Sequence, residues 1–422
     1  MKSKMNQIIS LFCDEPYRLF FPLGILIGII GIGHWLIYAL GRVDTYSGFF
    51  HASIQMQGYM ACFVIGFLLT AMPRFSGTAR SSRAELFTFL LLTLGIVGFL
   101  FGGQWILAEL SFIALLAALI RFAAVRVLGH SGGGDAKKVS PPVEFVWIPV
   151  AILHGVVGSV VLILNQLYVI PAWTIDIGQD MGQQGFILAV VAGVGGFLAP
   201  RLMGLYEAVK PSEVCTMEET NRLRKRKVQT HLLAGTLFFL SFCFDIPGFE
   251  TWAHGVRALI VTAVLVWTRS LPRPPRVPDF FAKLLWISMW MIPIGLWLSV
   301  FFPKYEKEML HITFIGGLSL MTFAVATMVV LSHSGQAHRL RKPLFILWTV
   351  LIGVILTLGF RLAAALKGGW YFPLLGIAAS LWIVVGVSWL CFVAPRILAI
   401  PAAGTFERQH EQEKQRINRL QH

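Results

Sequence analysis

Charge is what this sequence has least of. Only 13% of its 422 residues are Asp, Glu, Lys or Arg, about half the share in a soluble globular chain. Hydrophobic residues make up 56%, and mean hydropathy is +0.72. These values describe an integral membrane protein. Cysteine is scarce too: Cys13, Cys62, Cys215, Cys243 and Cys391 form no Cys-x-x-Cys pair, so neither a disulfide framework nor a structural zinc site is expected. Cys62 reads as a small packing residue. Carboxylates are missing from the middle of the apolar runs, with Glu109 and Asp245 near span ends. That argues against a carboxylate-based proton pump or a cation-coupled transporter. No phosphate-binding Gly-x-x-x-x-Gly-Lys loop, Gly-x-Ser-x-Gly elbow or His-Glu-x-x-His pair occurs. The glycines of AGVGGFLAP follow no strand, which excludes a dinucleotide fold by context.

What the chain has in quantity is apolar runs of about 20 residues, the length that crosses a bilayer. Twelve are expected, at roughly 19–40, 48–72, 84–102, 104–123, 143–169, 185–203, 230–246, 251–269, 280–302, 308–332, 343–363 and 370–394. The fold class is therefore all-α, a single polytopic membrane domain. The first run is too long for a cleavable signal and lacks a small-residue cleavage site. SGGGDAKK (131–138), the charged stretch 218–227 and RSLPRPPRVPD (269–279) read as linkers, and 406–422 as a charged cytoplasmic tail.

The formal net charge of +14 is distributed by topology, and nucleic acid is not an expected partner. Six of the 35 Lys and Arg, namely Arg42, Arg257, Lys304, Lys307, Arg361 and Lys367, fall on one side of the expected spans, leaving 29 on the other. The positive-inside rule then places both termini in the cytoplasm. A weak repeat accompanies this pattern. Spans two, six and twelve end TAMPRFSG, LAPRLMG and VAPRILA, and span ten ends VVLSHSG. Three blocks of four helices would account for it; so would Pro-Arg used as a helix stop with a snorkelling cation.

Histidines sort by depth. His34, His51, His254 and His311 fall toward the non-cytoplasmic side, His154 near the middle of a span, and His231 and His333 at the cytoplasmic interface. From His51, helical spacing runs through Gln55, Gly58, Cys62, Gly66 and Thr70, one polar and small face among bulky neighbours. His311 begins a comparable face with Ser319, Thr322 and Ala326, and Gly316-Gly317 lie close by. Small residues admit either a close-packed helix or a flat macrocycle. A lone histidine at a helix end is usually an interfacial residue bonded to carbonyl or water. Four at one depth point to a cofactor, because imidazole is a common metal and haem ligand. Haem b is expected, with His51 and His311 as axial ligands, His254 and His34 as second-choice haem or metal ligands, and Arg257 and Arg361 as partners for propionates.

The segments PYRLFFPLG, HASIQMQGYMACFVIGFLLTAMPRFSG, GVGGFLAPRLMG and LHITFIGGLSLMTFAVATMVVLSHSG resemble those of the NnrS family over nearly the whole chain. The resemblance implies a twelve-span bacterial inner-membrane protein of nitric oxide, nitrosative-stress or denitrification metabolism that binds haem and copper. Where the family begins its second span His-x-His-Glu-Met, this chain keeps His51 but has Ser53 and Ile54. Gly195-Gly196-Phe197 replaces Gly-Gly-Arg, and the arginine ahead of the family's Gly-His-Thr-Gly is lost around MVVLSHSG. Copper is thus expected to be sparse or absent, with haem retained. A looser analogy is the haem-copper oxidase core, also twelve helices in three groups, with haem ligands on its second and tenth. Lipid and nitric oxide or a related small molecule are the expected partners; catalysis and oligomeric state stay open. A twelve-span transporter and a cofactor-free scaffold or assembly protein are the alternatives. The three-block pattern argues against the transporter's two inverted halves, and a colourless protein would favour either alternative.

Overall fold

The computed structural model describes residues 2–128, 142–205 and 217–399. The 131–138 linker, Cys215 and the 406–422 tail lie outside the described residues. A helix the sequence reading omitted, α1 (Lys2–Asp14), precedes twelve others. These are α2 (Tyr17–Ala39), α3 (Gly48–Arg74), α4 (Arg83–Phe101), α5 (Trp105–Arg126), α6 (Val143–Gln166) and α7 (Thr174–Leu202). After them come α8 (Met217–Phe242), α9 (Glu250–Trp267), α10 (Phe280–Phe301), α11 (Pro303–His333), α12 (Phe345–Leu366) and α13 (Gly368–Ile397). Among the described residues 84% helix and no strand are found, as expected for an all-α fold.

Ten of these helices are long and apolar enough to cross a membrane, whereas twelve spans were expected. The two that fall short are α8 and α9. The stretch 218–227, expected as a linker, is instead the start of α8. Its Glu, Arg, Lys and Leu are good helix formers, and Glu218 and Glu219 lie in the first turn, complementing the helix dipole. In α9, Glu250, His254 and Arg257 dilute an 18-residue helix.

The chain divides into two compact units, residues 1–141 with 151–187, and residues 142–150 with 188–422. In the first unit α2 and α3 run antiparallel along a glycine seam. Gly24 faces Cys62 and Phe63, Gly31 faces Ile54 and Gln55, Gly58 faces Ile27, and Gly66 faces Phe20 and Phe21. Gln55 Nε2 donates to the Gly28 carbonyl at 3.0 Å, and the Tyr17 N–H donates to Thr70 Oγ1 at 3.1 Å. The face read from His51 to Thr70 is therefore real, and a helix fills it. The second unit repeats the device. A Cβ on Gly295 would lie 2.4 Å from Thr313 Oγ1, and one on Gly317 would lie 2.7 Å from Ile292. Thr313 Oγ1 donates to the Ile292 carbonyl at 2.9 Å. Close approach of backbones through small residues is how helices associate where no hydrophobic effect drives them together.

π-helical turns interrupt α3 (Ile54–Met60), α7 (Met181–Gly185 and Val191–Gly195) and α11 (Ile312–Ser319). These are the second, sixth and tenth expected spans, three of the four at which the sequence repeat fell.

The Pro-Arg pairs at Pro73, Pro200 and Pro395 lie in the last turn of their helices, which end within three residues of the proline. Three arginines fold back on a phenylalanine one turn earlier. Arg126, Arg201 and Arg396 stand 3.4, 3.6 and 3.9 Å over the rings of Phe122, Phe197 and Phe392. Each also donates to that phenylalanine's carbonyl. Arg74 differs, joining Glu15 at 2.8 Å beside buried Arg18, which holds the same carboxylate at 2.5 Å.

Candidate cofactor site

Two histidines converge in the first unit. Ser47 caps α3 by accepting the Phe50 N–H at 3.1 Å, which sets His51 in the opening turn. On α2, His34 follows Gly31 by three residues. Both Nδ1 atoms address one carbonyl, that of Gly31, at 3.0 Å from His34 and 3.1 Å from His51. The rings are 5.9 Å apart, between Trp35 and Phe50. An imidazole that donates through Nδ1 to a carbonyl keeps its Nε2 lone pair for a metal, and such a second partner fixes the ring's orientation. His34 Nε2 is buried and makes no hydrogen bond, with the Ser47 backbone also beside the ring. The donor set fits a metal or a haem iron. A macrocycle does not fit along the small face below His51, because α2 occupies it; Ile54, standing where the family has Glu, is fully buried on that seam.

A second polar cluster in this unit went unread in the sequence. Glu109 is 2% exposed, although its place near the end of α5 suggested a shallow residue. Gln57 Nε2 donates to its two oxygens at 2.9 and 2.8 Å, and Ser159 Oγ donates at 2.6 Å. Gln57 Oε1 is buried without a hydrogen bond. Gln57 points away from the seam, two residues and so about half a turn from Gln55. Glu109 also lines a cavity of about 240 Å³ with Phe49, Trp105 and Asn165.

In the second unit His254 and Arg257, one turn apart on α9, share Asp245. Arg257 forms an ion pair with Asp245 and lies 4.3 Å over the Phe242 ring. His254 Nε2 is 3.7 Å from Asp245 Oδ1, and its Nδ1 is 3.7 Å from Glu306 Oε1. His311 Nδ1 donates to the Lys307 carbonyl at 2.5 Å. Arg361 reaches Glu308 at 3.5 Å, on the turn that ends in His311. Its Nη1 is buried without a hydrogen bond, as is the Thr357 hydroxyl one turn earlier on α12. Of the two arginines expected beside propionates, Arg361 keeps a donor open, whereas Arg257 is held by Asp245. His51 and His311 belong to different units.

Two other histidines are buried. His231, expected at the cytoplasmic interface and bonded to carbonyl or water, is instead packed inside the protein against two tryptophans. Its Nδ1 accepts the Trp147 indole N–H at 3.0 Å and its ring tilts on Trp267 at 4.6 Å. His154 is fully buried against Gly185, where a Cβ would come within 2.2 Å of the ring.

Fold and composition define an all-α, multi-pass membrane protein with histidine-bearing helix ends. The family model for the NnrS protein matches residues 11–400. The chain belongs to the NnrS family. Comparison with curated proteins gives no match.

Proposed function

We propose that this chain is a haem- or metal-binding protein of nitric oxide metabolism, serving nitrosative-stress defence or denitrification in the bacterial inner membrane, with both termini cytoplasmic. The observation that carries the reading is the His34–His51 pair on the Gly31 carbonyl, with His34 Nε2 buried and without a hydrogen bond. His51 is the leading ligand. His34 beside it is the candidate for the second axial position, and His311 and His254 are the separate haem or metal candidates of the second unit. A bound haem or metal would supply a place to coordinate nitric oxide or pass an electron. In the first unit the chain's own residues orient the imidazoles through Gly31; in the second, Arg361 keeps a donor for a carboxylate-bearing group. Copper at the family's His-Glu position lacks its ligands, since Ser53 and Ile54 stand there, so haem b is the proposed cofactor.

Optical spectra and metal analysis of detergent-purified protein, grown with haem precursors, test this. A Soret band and low-spin bands on reduction are expected, with copper well below one per chain. The bands should be lost in His51→Ala and kept in His333→Ala. A colourless, metal-free protein would leave a cofactor-free scaffold or a transporter. Haem retained in full by His51→Ala would overturn the ligand choice.

A further inference from the structure

The arginine-rich end of the first unit holds a cleft of about 660 Å³ between α4 and α5. Its floor is apolar, formed by buried Phe89 and Phe122, and Val125 at its edge is 58% exposed. Phe87 and Leu91 beside it are 64% and 58% exposed, so the cleft opens on the apolar flank of the bundle. Three guanidinium groups line the same cleft: Arg80, Arg121 and Arg126. Arg126 is committed to the fold, pairing with Glu85 at 3.0 Å and donating to the Ala79 and Arg80 carbonyls. Arg80 pairs with Asp14 in an exposed contact, the kind that exchanges readily. Arg121 is exposed and makes no ion pair or hydrogen bond among the described residues. With Glu85 as the carboxylate in the lining, the cleft carries excess positive charge next to hydrocarbon-facing surface.

We propose that this cleft binds an anionic phospholipid, its phosphate at Arg121 and Arg80 and an acyl chain along the exposed apolar flank at Val125, Phe87 and Leu91. Basic pockets between membrane helices attract anionic headgroups by this combination of charge and apolar wall. Inorganic phosphate shares the anion chemistry but leaves the apolar flank uncovered.

Delipidated full-length protein is titrated with phosphatidylglycerol, with phosphatidylcholine of the same chains, and with inorganic phosphate, and adducts are read by native mass spectrometry. Phosphatidylglycerol should be retained over phosphatidylcholine. Arg121→Gln should weaken it by ~5-fold, the effect of one guanidinium at a membrane surface. Arg83→Gln removes the same charge outside the lining and should leave binding unchanged. Val125→Trp, which fills the cleft at constant charge, should also lower occupancy. Equal retention of the two lipids, or equal weakening in Arg121→Gln and Arg83→Gln, overturns the site. Displacement of phosphatidylglycerol by millimolar inorganic phosphate overturns the lipid as occupant.

Discussion

Gly295 is the glycine packed most tightly against another helix's backbone among the described residues. A Cβ there would lie 2.6 Å from the Thr313 backbone nitrogen and 3.0 Å from the Met309 carbonyl, neither of which can swing aside. Gly295→Ala should therefore destabilise by about 1–3 kcal/mol, the usual range for overpacking. Gly33→Ala, with nothing within 4 Å of its Cβ, should be neutral. Thermal unfolding in nanodiscs separates the two, and equal melting temperatures would refute the seam. Ser159 offers a second test, since its hydroxyl is one of the donors to buried Glu109. Ser159→Ala should cost about 1 kcal/mol, the net worth of one such hydrogen bond. Nothing in the spacing of residues indicated this cluster. Gln57, Glu109 and Ser159 sit on three helices, and only packing brings them together.

On the scale of elements, the π turns in α3, α7 and α11 have mechanical consequences. Each adds a residue to the local turn and so shifts the face presented on either side of it. Deleting one residue within Ile312–Ser319 should keep α11 helical but rotate His311 by about 100° relative to the helix below. Circular dichroism should be unchanged while any His311-dependent absorbance band disappears; an unaltered band would show that His311 is not a ligand. The Phe-x-x-x-Arg ends form a second recurring element. Arg201→Ala loses both a ring contact and a bond to the Phe197 carbonyl, and should cost about 0.5–2 kcal/mol. Arg201→Lys should recover little of it, since a planar guanidinium makes both contacts at once. The sequence marked these ends as a Pro-Arg repeat. Their working partner, the phenylalanine, lay three residues before the proline in helices α7 and α13 and was not singled out.

For the molecule as a whole, the 29-to-6 division of Lys and Arg gives the orientation its test. A reporter fused after His422 should be active in its cytoplasm-reading form, and a periplasm-only signal would reverse the depth order of the histidines. Composition and hydropathy were enough, by themselves, to determine an all-α membrane protein and the approximate place of its helices, while its family was legible only through the resemblance of particular segments. The first two properties follow from the bilayer acting on each segment separately, so a linear reading suffices. The expected depth order singled out His34 and His51 as candidates, and packing brings the two rings within 5.9 Å of each other. What sits opposite a given face was decided only by tertiary packing. The small face below His51 suited a helix or a macrocycle equally, and α2 fills it because Gly24, Gly31, Gly58 and Gly66 let the two backbones close. The same packing turned both imidazoles onto the Gly31 carbonyl, closed Asp245 on Arg257, and left Arg361 Nη1 buried with a hydrogen bond still to make. Hydrogen bonds between helices depend on rotation about each helix axis, and the π turns alter that rotation without changing the hydrophobic pattern from which a helix is read.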